Sequence, residues 1–297
     1  MKMHTMQTNA LNKSFKNIWK NPVLFVPDLL MSFILSVVFL FVYWYTGAAD
    51  LWGILQSAQG IYGSGITGFL SERWKELIIS AVAFFFVTFI FGATTLVFKF
   101  MMFRELLTKN GISIRTVWKE KKGYFWPVVI LRVSIFLFSI LLLLLSVAIG
   151  FLVYFFFLLI FPPNLAQTVA VTLAIIVALC LAVLFKVAIL FRYPTMFLEQ
   201  RKNPLKVLKE SYSILRKDTA FVFTTALVTI ILLVIFGALI YILNAAMNYT
   251  LSFLVSIFLA TVLTIFWAIF GQILKIAIDL WSSLYVFEQY KEHKSKE

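Results

Sequence analysis

Gly63-Ser64-Gly65-Ile66-Thr67-Gly68 spells G-x-G-x-x-G, the spacing that lets a backbone cradle a pyrophosphate. That chemistry needs a strand before the glycines and a βαβ unit around them. Neither is legible here, so the segment reads as a flexible glycine loop. No H-E-x-x-H, P-loop or clustered His/Cys/carboxylate set occurs. The two histidines, His4 and His293, stand at opposite ends of the chain, and Cys180 is the single cysteine. No catalytic residue, metal or cofactor is expected, and the chain reads as a non-enzyme. Asn248-Tyr249-Thr250 is a formal glycosylation sequon.

Charges inside apolar runs are functional candidates by default. Asp28 lies about six residues into the first apolar run and Arg132 about eight into the third. Their matched depth predicts a buried pair. Lys275 and Asp279 are one turn apart on one helix face, which suits a local ion pair. Two ladders of small residues are also visible. One runs Ala166, Ala170, Ala174, Ala178, Ala182 and then Lys186; the other runs Ser256, Ala260, Thr264, Ala268 and Gln272. Small side chains at every fourth position let helix backbones approach closely in lipid. They form a packing stripe of the fourth and sixth spans, or else a narrow polar path walled by Lys186, Thr264, Gln272, Lys275 and Asp279.

The elements that must position these residues are transmembrane helices. Hydrophobic residues make up 62% of the 297, charged residues 13%, and mean hydropathy is +0.96. A soluble domain carries about 45–50% apolar and about 25% charged residues. A soluble enzyme, a disordered chain and an alternating outer-membrane barrel are excluded. A bilayer core needs about 20 apolar residues per helix. Six runs qualify: roughly 23–46, 77–98, 124–148, 165–191, 219–243 and 251–274. Residues 124–161 hold one charge, Arg132, and would make a helix of about 57 Å. A break is therefore expected near Ser146–Gly150, with 149–161 tilted, kinked or interfacial.

Of the 26 basic residues, 22 fall in 1–22, 99–122, 192–217 and 275–297, all on one side of a six-span chain. The positive-inside rule places that side, and both termini, in the cytoplasm of a plasma-membrane protein. The first span is too long for the 7–15-residue core of a signal peptide. The net charge of +13 then reflects topology and anionic lipid headgroups, and no nucleic-acid partner.

A threefold repeat is legible, about 9–105, 106–200 and 201–297. Ile18-Trp19-Lys20, Val117-Trp118-Lys119 and Ile214-Leu215-Arg216 each precede an odd span. Val97-Phe98-Lys99, Leu184-Phe185-Lys186 and Ile273-Leu274-Lys275 lie near the end of each even span. Amphipathic interfacial helices are predicted over 9–20, 112–122 and 203–217. In the first, Leu11, Phe15, Ile18 and Trp19 share a face. In the third, Asn203 caps, Pro204 takes the first helical position, and Leu205, Leu208, Tyr212 and Leu215 form the apolar stripe. The fold expected is an all-α polytopic bundle of three hairpins with interfacial helices, and even spans more central.

Tyr193-Pro194-Thr195-Met196-Phe197-Leu198-Glu199, Asn203-Pro204-Leu205, Leu208-Lys209-Glu210-Ser211-Tyr212 and Leu215-Arg216-Lys217 resemble the signature of YciC-like proteins and related membrane domains of some glycerophosphodiester phosphodiesterases. Val207 stands where that pattern usually has Ala. The resemblance implies a six-helix membrane domain. It brings no catalytic residues, since no stretch here reads as a soluble phosphodiesterase. The function expected is a scaffold, assembly or lipid-organising module that meets anionic lipids and a membrane protein or second copy. A small-molecule or lipid transporter is the alternative, and a membrane-embedded enzyme acting on lipid headgroups is a third reading.

Overall fold

The computed structural model describes residues 2–48, 64–252 and 257–296. Among these the regular structure is helical, without strands: α1 (Lys2–Lys20), a 3₁₀ turn (Pro22–Phe25), α2 (Val26–Tyr45), α3 (Ser64–Lys109), α4 (Ile114–Glu120), α5 (Lys122–Leu158), α6 (Pro163–Ala188), α7 (Arg192–Leu198), α8 (Pro204–Lys217), α9 (Thr219–Ser252) and α10 (Ile257–Lys294). Six of these segments are long and apolar enough to cross a membrane. The chain is a multi-pass membrane protein.

Two compact units are present. One is Val23–Lys99; the other comprises Met1–Pro22 and Phe100–Glu297. In the smaller unit Asp28, near the start of α2, meets Lys99 near the end of α3, with Oδ2 2.9 Å from Nζ. Asp28 belongs to the smaller unit and Arg132, the partner expected for it, to the larger.

In the larger unit α5 and α6 form a close hairpin. The expected break at Ser146–Gly150 does not occur: α5 is continuous to Leu158. Ser146 and Gly150 are instead buried, and a Cβ added at Gly150 would lie 2.8 Å from the Ala174 Cβ. Residues that look like helix breakers are the points of closest helix approach, as small residues are in lipid. The α6 ladder thus packs on α5 through Ala166, Ala170 and Ala174. It does not pair with the ladder of the last span, where Thr264, Ala268 and Gln272 are exposed; Ser256 lies outside the described residues.

The expected glycine loop is not formed over residues 64–68. Ser64 through Gly68 open α3 as helix, so they are no loop, while Gly63 lies outside the described residues. Nor are even spans more buried across the apolar stretch. The buried share of the most apolar window is 11% for each of the first four spans and 6% for the last two. The reason is length. α3 has 46 residues and α10 has 38, about 69 and 57 Å, against a hydrocarbon core of about 30 Å. Their central packing begins past the apolar stretch, at the basic ends.

Candidate functional site: the basic end

Three return helices carry one aromatic pattern beyond their apolar runs. Phe103-Arg104-Glu105, Phe197-Leu198-Glu199 and Phe287-Glu288-Gln289 are spaced by 94 and 90 residues. The three phenylalanines are buried. Phe100 lies 5.7 Å from Phe197, 5.2 Å from Phe287 and 4.5 Å from Tyr193, ring centre to ring centre; Phe103 lies 5.4 Å from Phe287 and Tyr124 lies 5.0 Å from Phe197. Offset and edge-on contacts of this kind each contribute about 0.5–1.5 kcal/mol beyond area burial. Ile276, Leu280, Leu284 and Phe287 give α10 its buried stripe here.

The elbow helices close over this core. In α1, Ala10, Ser14 and Ile18 are buried against α10 while Phe15 and Trp19 are 46% and 62% exposed. In α4, Ser113 caps the helix, Val117 is buried and Trp118 is exposed. In α8, Asn203 Oδ1 accepts from Leu205 N at 3.1 Å and Lys206 N at 3.2 Å. Val207, Ser211 and Ile214 face the core, and Ser211 donates to Ala188 O at 2.9 Å. Leu205 and Tyr212, two of the expected apolar stripe, point away from it and are exposed. The stripe read from sequence is therefore split: Leu205 and Tyr212 are exposed, while Leu208 and Leu215 are half-buried and Leu215 packs against the core.

Polar contacts fix each elbow. Glu288, wholly buried, takes Lys13 Nζ at 2.9 Å and Asn17 Nδ2 at 3.2 Å from α1. Tyr285 donates to Gln7, and Trp281 Nε1 donates to Leu11 O at 3.2 Å. Glu120 of α4 pairs with Arg104 of α3, and the guanidinium's hydrogen bond holds the Glu120 carboxyl below its ordinary value. Lys121 Nζ stands 3.0 Å above the Trp118 ring centre. Burial, with the charge of Lys122, lowers the Lys121 pKa.

The richest cluster joins the end of α7, the following loop, α8 and α10. Glu199 accepts from Tyr290, with Arg201 Nε at 2.8 Å and Lys294 Nζ at 3.5 Å; Arg201 Nη1 also meets Glu210 at 2.5 Å. Burial pushes the Glu199 carboxyl up. The Tyr290 hydrogen bond and the charges of Lys294 and Arg201 more than offset it, so its pKa is lowered. Glu210 goes the other way, raised by burial and then by the negative charge of Glu199.

Lys186, Thr264, Gln272, Lys275 and Asp279 are all exposed and do not gather round a cavity. Thr264 Oγ1 bonds back to Ala260 O at 2.8 Å in its own helix. Arg132 is half-buried in α5. Sequence reasoning misses Tyr285, Glu288, Gln289 and Tyr290, which lie past the last apolar run. The recurring Phe-x-Glu/Gln spacing, which picks out Phe287 and Gln289, is the signal that points to this segment.

Cavities lie both on the α5–α6 hairpin and beside the elbow helix α1. A crevice of about 540 Å³ between α5 and α6 is lined by Ser146, Tyr154, Gln167 and Ala174 among apolar neighbours, with no charged residue. A smaller groove of about 110 Å³ lies between α1, α9 and α10. Among the described residues no three His, Cys, Asp or Glu side chains gather as a metal site. Comparison with protein-family models, curated proteins and solved structures finds no match for this chain.

Proposed function

We propose that the protein is a non-enzymatic module that organises anionic lipid at the cytoplasmic face of the plasma membrane, with both termini in the cytoplasm. One observation carries the reading. Each elbow helix buries one face on the basic-end core and leaves an adjacent apolar or aromatic face exposed beside lysines and arginines: Phe15 and Trp19, Trp118, Leu205 and Tyr212. Aromatic rings with flanking cations favour the headgroup boundary, and each basic residue there adds about 1 kcal/mol of attraction to anionic lipid. The threefold repeat and the YciC-like resemblance are part of this proposal. So are a membrane protein partner or a second copy, which the exposed spans would accommodate.

The alternative is a small-molecule or lipid transporter. Exposure of Lys186, Thr264, Gln272, Lys275 and Asp279 weighs against a shared path through them. Spin-labelled lipids in proteoliposomes test the main reading. Phosphatidylglycerol labels should show a larger motionally restricted fraction than phosphatidylcholine labels, and Trp19→Ala with Trp118→Ala should shrink the difference. Equal restriction of both lipids would remove the proposal. Solute or lipid flux through the same liposomes would favour the transporter.

A further inference from the structure

The groove between α1, α9 and α10 differs from the larger crevice in its chemistry. Phe15, Trp19, Phe236, Ile240, Ala277 and Trp281 are among its walls, and its lining is apolar. The indole N–H of Trp281 is committed to Leu11 O at 3.2 Å. Phe15 and Phe236 rings stand 5.0 and 5.6 Å from the Trp281 ring. An apolar lining of this kind gives water no hydrogen-bond partners. Its volume of about 110 Å³ suits a short length of hydrocarbon chain and not a whole lipid.

No charged residue lines the groove, but two of its aromatic walls on α1 are each followed by a lysine. Lys16 and Lys20 are one turn apart on α1, each one residue on from Phe15 and Trp19. Both are exposed. The cationic stripe therefore runs about 100° around the helix from the aromatic stripe that walls the groove. A chain lying in the groove would carry its phosphate toward those two ammonium groups. Neither lining holds a charge, but the larger crevice between α5 and α6 also has no lysine or arginine next to any of its lining residues in the sequence, so it offers no such selection.

We infer that this groove is a specific site for one anionic phospholipid, which inserts an acyl-chain segment beside Trp281 and sets its phosphate against Lys16 and Lys20. The inference deepens the lipid-organising reading and rests on it for the placement of α1 at the membrane surface. It adds a single, stoichiometric ligand to a general preference.

Native mass spectrometry tests it on the full chain, released from nanodiscs of equal phosphatidylglycerol and phosphatidylcholine. Wild type should retain one phosphatidylglycerol. Lys16→Gln with Lys20→Gln should lower that preference by about 30-fold, which is about 2 kcal/mol for two lysines. Ala277→Phe, which fills the groove, should abolish retention. Unchanged retention or unchanged preference in these variants overturns the site. Should Ala277→Phe fail to fold, a phosphatidylglycerol with a mid-chain diazirine decides on wild type. It should crosslink to peptides spanning 236–240 and 274–281, and labelling spread evenly over all spans contradicts the site. Spin-label selectivity separates this from the broader reading. If selectivity persists without a retained lipid, only the groove site fails. If one lipid is retained without selectivity, only the general reading fails.

Discussion

Lys99 and Asp28 form an ion pair whose side chains are 3% and 18% exposed. Removing one partner of such a buried pair typically costs about 3–5 kcal/mol, whereas replacing both with apolar residues is often near neutral. Lys99→Met should therefore lower thermal stability in detergent, and Lys99→Met with Asp28→Leu should recover most of it. A double variant as unstable as the single one would show that the pair is not the source of the effect. Asp28 was legible as an intramembrane charge. Its partner within its own unit was not, because Lys99 read as the positive flank of a span. At the Glu199 cluster, a carboxyl held below its ordinary value stabilises the fold above the unfolded pKa of about 4.3 and loses that contribution as pH falls through the folded value. Glu210, held high, takes up its proton first and relieves its repulsion with Glu199. Unfolding temperature should thus hold down to about pH 4.3 and drop below it. Glu199→Gln should flatten that acid limb, measured by thermal scans at a series of pH values; an unaltered limb would contradict the assignment.

For single elements, Gly150 gives the clearest contest of magnitudes. Alanine there would gain about 0.5–1 kcal/mol of helix propensity. It would also place a Cβ 2.8 Å from the Ala174 Cβ, and overpacking of that kind costs about 1–3 kcal/mol. Both atoms are fixed to helix backbones, so the steric cost wins. Gly150→Ala should destabilise the α5–α6 hairpin by about 1–2 kcal/mol, and Gly150→Ala with Ala174→Gly should restore it, read by denaturation in detergent. Stabilisation by the single change would mean that the helices can slide apart at no cost. Helix identity was legible from apolar runs, and the start of α8 from Asn203 and Pro204, because those signals are local. The uninterrupted course of α5 was not. Serine and glycine read locally as a break, and only the neighbouring helix shows that they are contact points. In the elbow helices one periodic stripe was visible, and it straddles the boundary between faces: Ile18 is buried and Leu11 and Leu215 pack on the core, while Phe15, Trp19, Leu205 and Tyr212 are exposed. The centres of the buried faces mix Ile18, Val207 and Ile214 with Ala10, Ser14 and Ser211, small or polar residues that blur the apolar pattern on that side.

Over the whole molecule, the fold class followed from composition, since no soluble core can hide 62% hydrophobic residues. What composition could not reveal is that the densest packing lies outside the apolar stretches. The extensions Phe100–Lys109 and Ile276–Lys294 build it with α7 and the elbows, and long-range contacts of that kind leave little local trace. The account's central claim is that this basic end faces the cytoplasm at the membrane surface. Cysteine labelling in intact cells tests it most directly, in a Cys180→Ala background. Lys209 is exposed on α8 at the basic end, whereas Ser211 beside it is buried and would be silent in either orientation. Asn164 is exposed at the start of α6, at the opposite end of that hairpin. A membrane-impermeant maleimide should label Asn164→Cys in intact cells and label Lys209→Cys only after the membrane is permeabilised. Labelling of Lys209→Cys in intact cells, with Asn164→Cys protected until lysis, would contradict the account.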